Sequence, residues 1–90
     1  MEVYFAPSFL KVFKKFDSNI KEQVRATTDK TIDFYESGQK TTGLGIKHLR
    51  GTLWEARVGI KFRLVYELSG NQLTFIIAGS HDDVKNYLRR

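Results

Sequence analysis

The sequence contains no cysteine. Disulfides, thiolate nucleophiles and cysteine-based zinc sites are therefore excluded, and a reducing compartment is compatible with the chain. No apolar run approaches the roughly 18 residues of a membrane span, so no membrane partner is expected. The opening residues join charged Glu2 to a short strand-like run rather than to the blocks of a signal peptide. A cytoplasmic location is the expectation. Repeats, low-complexity tracts and interdomain linkers are also missing, and Pro7 is the single proline. At 90 residues, positions 1–90 are expected to form one domain. A chain this short buries only roughly 60–65% of its unfolded surface, which leaves little room for a deep pocket. Its 41% hydrophobic and 13% aromatic residues are nevertheless enough for a folded core.

Charge is present but uneven. Residues 1–36 carry six Lys/Arg and six Asp/Glu, and residues 67–90 carry three of each. Residues 37–66 carry Lys40, Lys47, Arg50, Arg57, Lys61 and Arg63 against Glu55 alone. The whole net charge of +5 therefore sits in one stretch. Such a local excess favours an anionic partner, although a solvated basic surface has the same composition.

The hydrophobic period divides the chain into elements. Glu2–Phe5 reads as a strand. Pro7 opens a helix with Phe9, Val12, Phe13 and Phe16 inward and Lys11, Lys14 and Lys15 outward. Asn19 followed by Glu22 predicts a capping box for a second helix, with Ile20, Val24, Thr28 and Tyr35 on one side and an end near Ser37-Gly38. Residues 39–52 contain Gly43, Gly45 and Gly51 without a clean period. They read as a loop with a short extended piece around residues 44–49, and they match no phosphate-binding glycine pattern. Leu53–Val58 and residues 60–68 each alternate, and a three-residue loop at 59–61 sets Val58 opposite Phe62 and Arg57 opposite Arg63. Residues 73–78 are apolar on both faces and read as a central strand. Ser80 and Asp83 fit a second capping box, opening a terminal helix with Val84, Tyr87 and Leu88 inward. The order β-α-α-β-β-β-α predicts an α+β fold: a mostly antiparallel four-stranded sheet with an N-terminal helical hairpin on one face.

One constellation stands out. Like charges opposed across two strands repel, so Arg57 facing Arg63 costs stability, and Glu55 on the same face offsets it only in part. Splayed into solvent, the pair is unremarkable. Held together, two guanidiniums match the oxygens of a phosphate. His81 follows the central strand directly; a surface histidine at a helix start is common, but histidine is also the usual general acid or base near neutral pH.

Three runs carry a family resemblance: Leu49-Arg50-Gly51-Thr52-Leu53-Trp54-Glu55-Ala56-Arg57-Val58-Gly59, Phe62-Arg63-Leu64-Val65-Tyr66-Glu67, and Gly79-Ser80-His81-Asp82-Asp83-Val84. In their order and spacing the chain resembles the RelE/ParE superfamily of bacterial toxins over essentially its whole length, the RelE-like branch above all. The resemblance implies the toxic half of a type II toxin–antitoxin pair. RelE-like members are endoribonucleases that cleave messenger RNA on the ribosome and so inhibit translation. They use no metal and no cofactor: the 2′-hydroxyl attacks the adjacent phosphate, leaving a cyclic phosphate and a free 5′-hydroxyl. ParE-like members instead bind and inhibit DNA gyrase, and a non-catalytic interaction module is a further alternative. By the same resemblance Arg63 and Arg57 meet the reacting phosphate, and His81 is the general acid. Glu55, or failing it His48, is the general base, and Tyr87 is a further functional residue on the terminal helix. Lys47, His48 and Arg50 fall in the segment that the family places towards RNA, and the basic excess adds Lys40 and Lys61 as RNA-binding candidates. A cognate antitoxin protein and messenger RNA are the implied partners.

Overall fold

The computed structural model describes residues 1–38 and 43–89. Its elements run β1 (Glu2–Phe5), α1 (Pro7–Phe13), α2 (Ser18–Ser37), β2 (Lys47–Arg50), β3 (Leu53–Val58), β4 (Phe62–Ser69), β5 (Gln72–Ser80) and α3 (His81–Leu88). The class is α+β, as expected, but the sheet has five strands, not four, in the order β1-β5-β4-β3-β2. The additional strand is β2, which overlaps the short extended piece expected around residues 44–49 but was not counted in the sheet. Its Lys-His-Leu-Arg sequence has no apolar alternation; antiparallel backbone pairing with β3 makes it a strand. β1 pairs parallel to β5, and the other strand pairs are antiparallel.

Both faces of β5 are covered, which explains its unbroken apolar run. On one face Leu73 and Phe75 join Ala56, Leu64 and Tyr66 against Phe9 of α1 and Val24 of α2. On the other, Ile77 and Val65 are closed over by Val84 of α3. Strict alternation would put Phe75 and Ile77 on the same face. A bulge prevents this: Tyr66 pairs with Phe75 and Val65 with Ile77, leaving Ile76 as the extra residue. The Ile76 carbonyl accepts a hydrogen bond from the Ser8 hydroxyl at 2.6 Å. α1 thus lies along β5 where β1 stops, beginning from the Ala6 amide, which donates to the Phe75 carbonyl at 2.9 Å.

The helix ends follow local chemistry. α2 starts earlier than the Asn19/Glu22 pattern suggested: Asp17 is the cap, accepting from the Ile20 amide at 2.9 Å. α2 ends at Gly38, whose φ of 73° favours glycine. At α3 the expected box is present, with Ser80 accepting from the Asp83 amide and Asp83 accepting from the Ser80 amide. Gly79 makes the turn possible, because a Cβ there would stand 2.9 Å from the Asp83 Cβ.

α2 and the sheet meet at a part-buried polar contact, the Tyr35 and Tyr66 hydroxyls at 2.7 Å. Burial pushes the Tyr66 phenol up, and its bond and proximity to Tyr35 push it further. Burial also pushes Tyr35 up, against the opposing effect of the same bond. The folded state therefore holds these protons more tightly than the unfolded chain. The contribution is complete below the unfolded tyrosine value of about 10 and is lost as pH rises above it. The urea midpoint should fall above about pH 10, and Tyr66→Phe should reduce that decline; an equal alkaline decline in the variant contradicts the assignment. Gly79→Ala should destabilise the fold by about 1–3 kcal/mol, measured by the same unfolding experiment.

Candidate functional site

Strand register assembles the site. Arg57 pairs with Arg63, and Arg63 with Gly79, so one row crosses β3, β4 and β5. In the next row Lys47 pairs with Glu55 and Glu55 with Val65. Both rows lie on the face that carries α3, since Val65 packs against Val84. Glu55, Arg57 and Arg63 therefore share one face, as the alternation predicted.

Their contacts are specific. Arg63 Nε lies 3.7 Å from Glu55 Oε2, with the two side chains only 22% and 15% exposed. Arg63 Nη1 also donates to the Phe62 carbonyl at 3.1 Å. Arg57 is exposed. Its amide donates to the Leu44 carbonyl at 2.6 Å, and a Cβ on Gly45 would stand 3.5 Å from its Nε. The loop before β2 thus flanks the Arg57 guanidinium. Glu55 is the one carboxylate beside two arginines, and its ion pair orients Arg63.

His81 is the exposed first residue of α3. Helical spacing sets His81, Lys85 and Leu88 on one side of α3 and Asp83 with Tyr87 on another. Asp83 and Tyr87 line a cleft of about 650 Å³ shared with Ser8 and Lys11 of α1 and with Lys15 beyond its end. His81 and Lys85 consequently lie on the flank towards β4 and β3, with the arginines, whereas Tyr87 looks the other way, towards α1. Lys85 escaped the sequence reading; its position four residues after His81 was the available signal.

The remaining candidates divide. Lys47 is on the arginine face. Arg50 is too, but its Nη2 donates to the Leu88 carbonyl at 2.6 Å and so holds the end of α3. His48 pairs with Trp54, meets its ring at a 49° tilt with centroids 4.6 Å apart, and reaches the Gly51 carbonyl at 2.8 Å. Trp54 packs on the helical-hairpin core, so His48 lies on the opposite face from the arginines. Lys61 is exposed in the β3–β4 turn. Lys40 lies outside the described residues. Among the described residues no group of three or more histidines and carboxylates is arranged to hold a metal ion. No described helix is long and apolar enough to cross a membrane.

Neither a protein-family model nor a curated protein matches the sequence. Solved structures do match. A chain of the RelB–RelE antitoxin–toxin complex from Methanococcus jannaschii is 21% identical, with 93% of this chain and 96% of that one covered and a TM-score of 0.70. A chain of the E. coli DinJ–YafQ complex is 18% identical, covering 92% and 96%, with a TM-score of 0.70. The YoeB/ParE toxin from Agrobacterium tumefaciens is 20% identical, covering 90% and 99%, with a TM-score of 0.66. At these identities the likeness is one of architecture, and it extends over nearly the full length of each chain: the protein has the RelE-like fold.

Proposed function

We propose that residues 1–90 are a toxin domain of a type II toxin–antitoxin system, acting as a metal-independent endoribonuclease on messenger RNA at the ribosome. The observation that carries this reading is the pairing of Arg57 with Arg63 on an open sheet face. Two opposed cations are unfavourable without a ligand, and a phosphate undergoing attack is the ligand that most needs them. As the 2′-hydroxyl attacks the adjacent phosphorus, negative charge gathers on the non-bridging oxygens. The two guanidiniums are fixed donors for that charge. His81 delivers a proton to the departing 5′ oxygen. Glu55 receives the 2′-hydroxyl proton, while its pairing with Arg63 keeps that guanidinium aimed at the phosphate. Lys47 and Lys85 extend the basic face along the RNA backbone. Tyr87, on the other flank of α3, takes no part in this step.

The face is shallow, which fits a substrate held in part by the ribosome and hence a cytoplasmic site of action. A cognate antitoxin covering the basic surface completes the reading. It is supported by the antitoxin-bound state of two structures that share the fold.

Induced expression followed by mapping of transcript 5′ ends should reveal new cleavage sites. Growth arrest with intact transcripts, together with loss of supercoiling activity in a gyrase assay, would instead favour a gyrase-binding toxin. Arg63→Ala should slow cleavage by roughly 10²–10³-fold, and His81→Ala by roughly 10²–10⁴-fold. Cleavage by the His81 variant at the parental rate removes the acid from the mechanism. Arg57→Gln should lower cleavage yet stabilise the fold by about 0.2–1 kcal/mol. That gain should shrink as salt is added.

A further inference from the structure

The two edges of the sheet are built differently. β2 carries Lys47 and Arg50, and its register breaks between His48 and Arg50. Cations and bulges are devices that keep a sheet edge from pairing with another chain. β1, at the other edge, has no lysine, arginine or proline, and its register with β5 is unbroken. It presents Tyr4 and Phe5 at 47% and 43% exposure, beside Leu10 of α1 at 53%.

The backbone of β1 is self-complementary. The Glu2 and Ala6 amides donate inward, to the Asn71 and Phe75 carbonyls at 2.8 and 2.9 Å. Alternate residues of a parallel strand turn to the same neighbour, so Val3 and Phe5 turn their amides and carbonyls outward. Two outward residues separated by one inward residue form a pattern that matches itself when run antiparallel. Val3 then exchanges both backbone bonds with the partner's Phe5, and Phe5 with the partner's Val3. The two-fold axis passes between Tyr4 and the partner's Tyr4, an aromatic cross-strand pair.

The neighbouring surface suits the same occupant. On the helix side lies an apolar groove of about 240 Å³ floored by Phe5, Phe9 and Phe13 and rimmed by Arg25 and Asp29. The rim holds one cation and one carboxylate. With Glu2 of β1, each copy brings one cation and two carboxylates here, so this edge lies apart from the basic excess that gives the chain its +5.

The geometry points to an isologous homodimer in which β1 pairs antiparallel with β1 of a second copy, joining the two sheets into one. The inference does not rest on the nuclease reading. The arginine face lies on β3 and β4, and β3 is separated from β1 by β4 and β5, so it stays open in the dimer.

Sedimentation velocity on the purified chain over a concentration series tests this. The parent should shift from monomer to dimer as concentration rises. Tyr4→Lys and Tyr4→Glu should each weaken self-association by roughly tenfold or more, since each sets like charges together at the axis. An equimolar mixture of the two should recover the dimer, because Lys then faces Glu. Thermal melts establish that the variants are folded, and Leu10→Lys, outside the strand, should weaken the dimer as well. A parent that stays monomeric to about millimolar concentration overturns the proposal, even if β1 then takes up a strand from another protein. So does a dimer that tolerates both Tyr4 variants, or a mixture that does not re-form it.

Discussion

Everything in this fold depends on covering both faces of β5. The helical hairpin covers one face, and α3 must return across the other immediately after Ser80. That return needs Gly79, where a Cβ would collide with Asp83, and a cap formed within four residues. It also needs the bulge at Ile76, which turns Ile77 towards α3 while Phe75 still faces the hairpin. α3 is only eight residues long. It closes over Val65 and Ile77 and ends against Arg50. The part of β3 and β4 beyond its reach is left open, and there Glu55, Arg57 and Arg63 stand. The position of the site follows from where the covering helix runs out.

The energetics of that open face are those of a deliberate conflict. One carboxylate shares the face with two guanidiniums, and its pairing with Arg63 at 3.7 Å is partly exposed. Such a pair contributes little to stability, typically less than about 1 kcal/mol. It leaves the face positive rather than neutral. Local sequence choices that oppose stability concentrate where a ligand removes the conflict, and on the proposed reading an anion would do so here. The loop at Gly45 runs alongside the Arg57 side chain.

What the sequence made legible is what short-range periodicity controls. Alternation around Gly59 specified the β3–β4 register, including Arg57 opposite Arg63, because one slip would have exposed Val58 and Phe62. Ser80 and Asp83 were readable because a capping box is a local exchange of two bonds. β2 was readable only as a short extended piece, since nothing in Lys-His-Leu-Arg shows that a neighbour's backbone pairs with it. The face of His48 was lost with it, as only the register with Trp54 fixes that. Tyr87 was readable as a helix residue, but not the flank it occupies, which depends on how α3 crosses the sheet. The Asn19/Glu22 pattern put the start of α2 two residues late, because the backbone is capped by Asp17, which has no glutamate three residues on.

The basic stretch also changes character once partners are known. Composition counts its cations as equals, yet they differ in what each would give up to bind an anion. Arg50 holds the last carbonyl turn of α3. Arg63 is shared between Glu55 and the Phe62 carbonyl. Lys47 stands across from Glu55. Arg57 is exposed, and among the described residues its guanidinium forms no ion pair. An anion approaching this face can therefore engage Arg57 without breaking a protein contact, whereas drawing on Arg63 competes with Glu55. On the proposed reading, that order would make Arg57 the residue of first encounter and Arg63 the one whose response is graded by the carboxylate beside it.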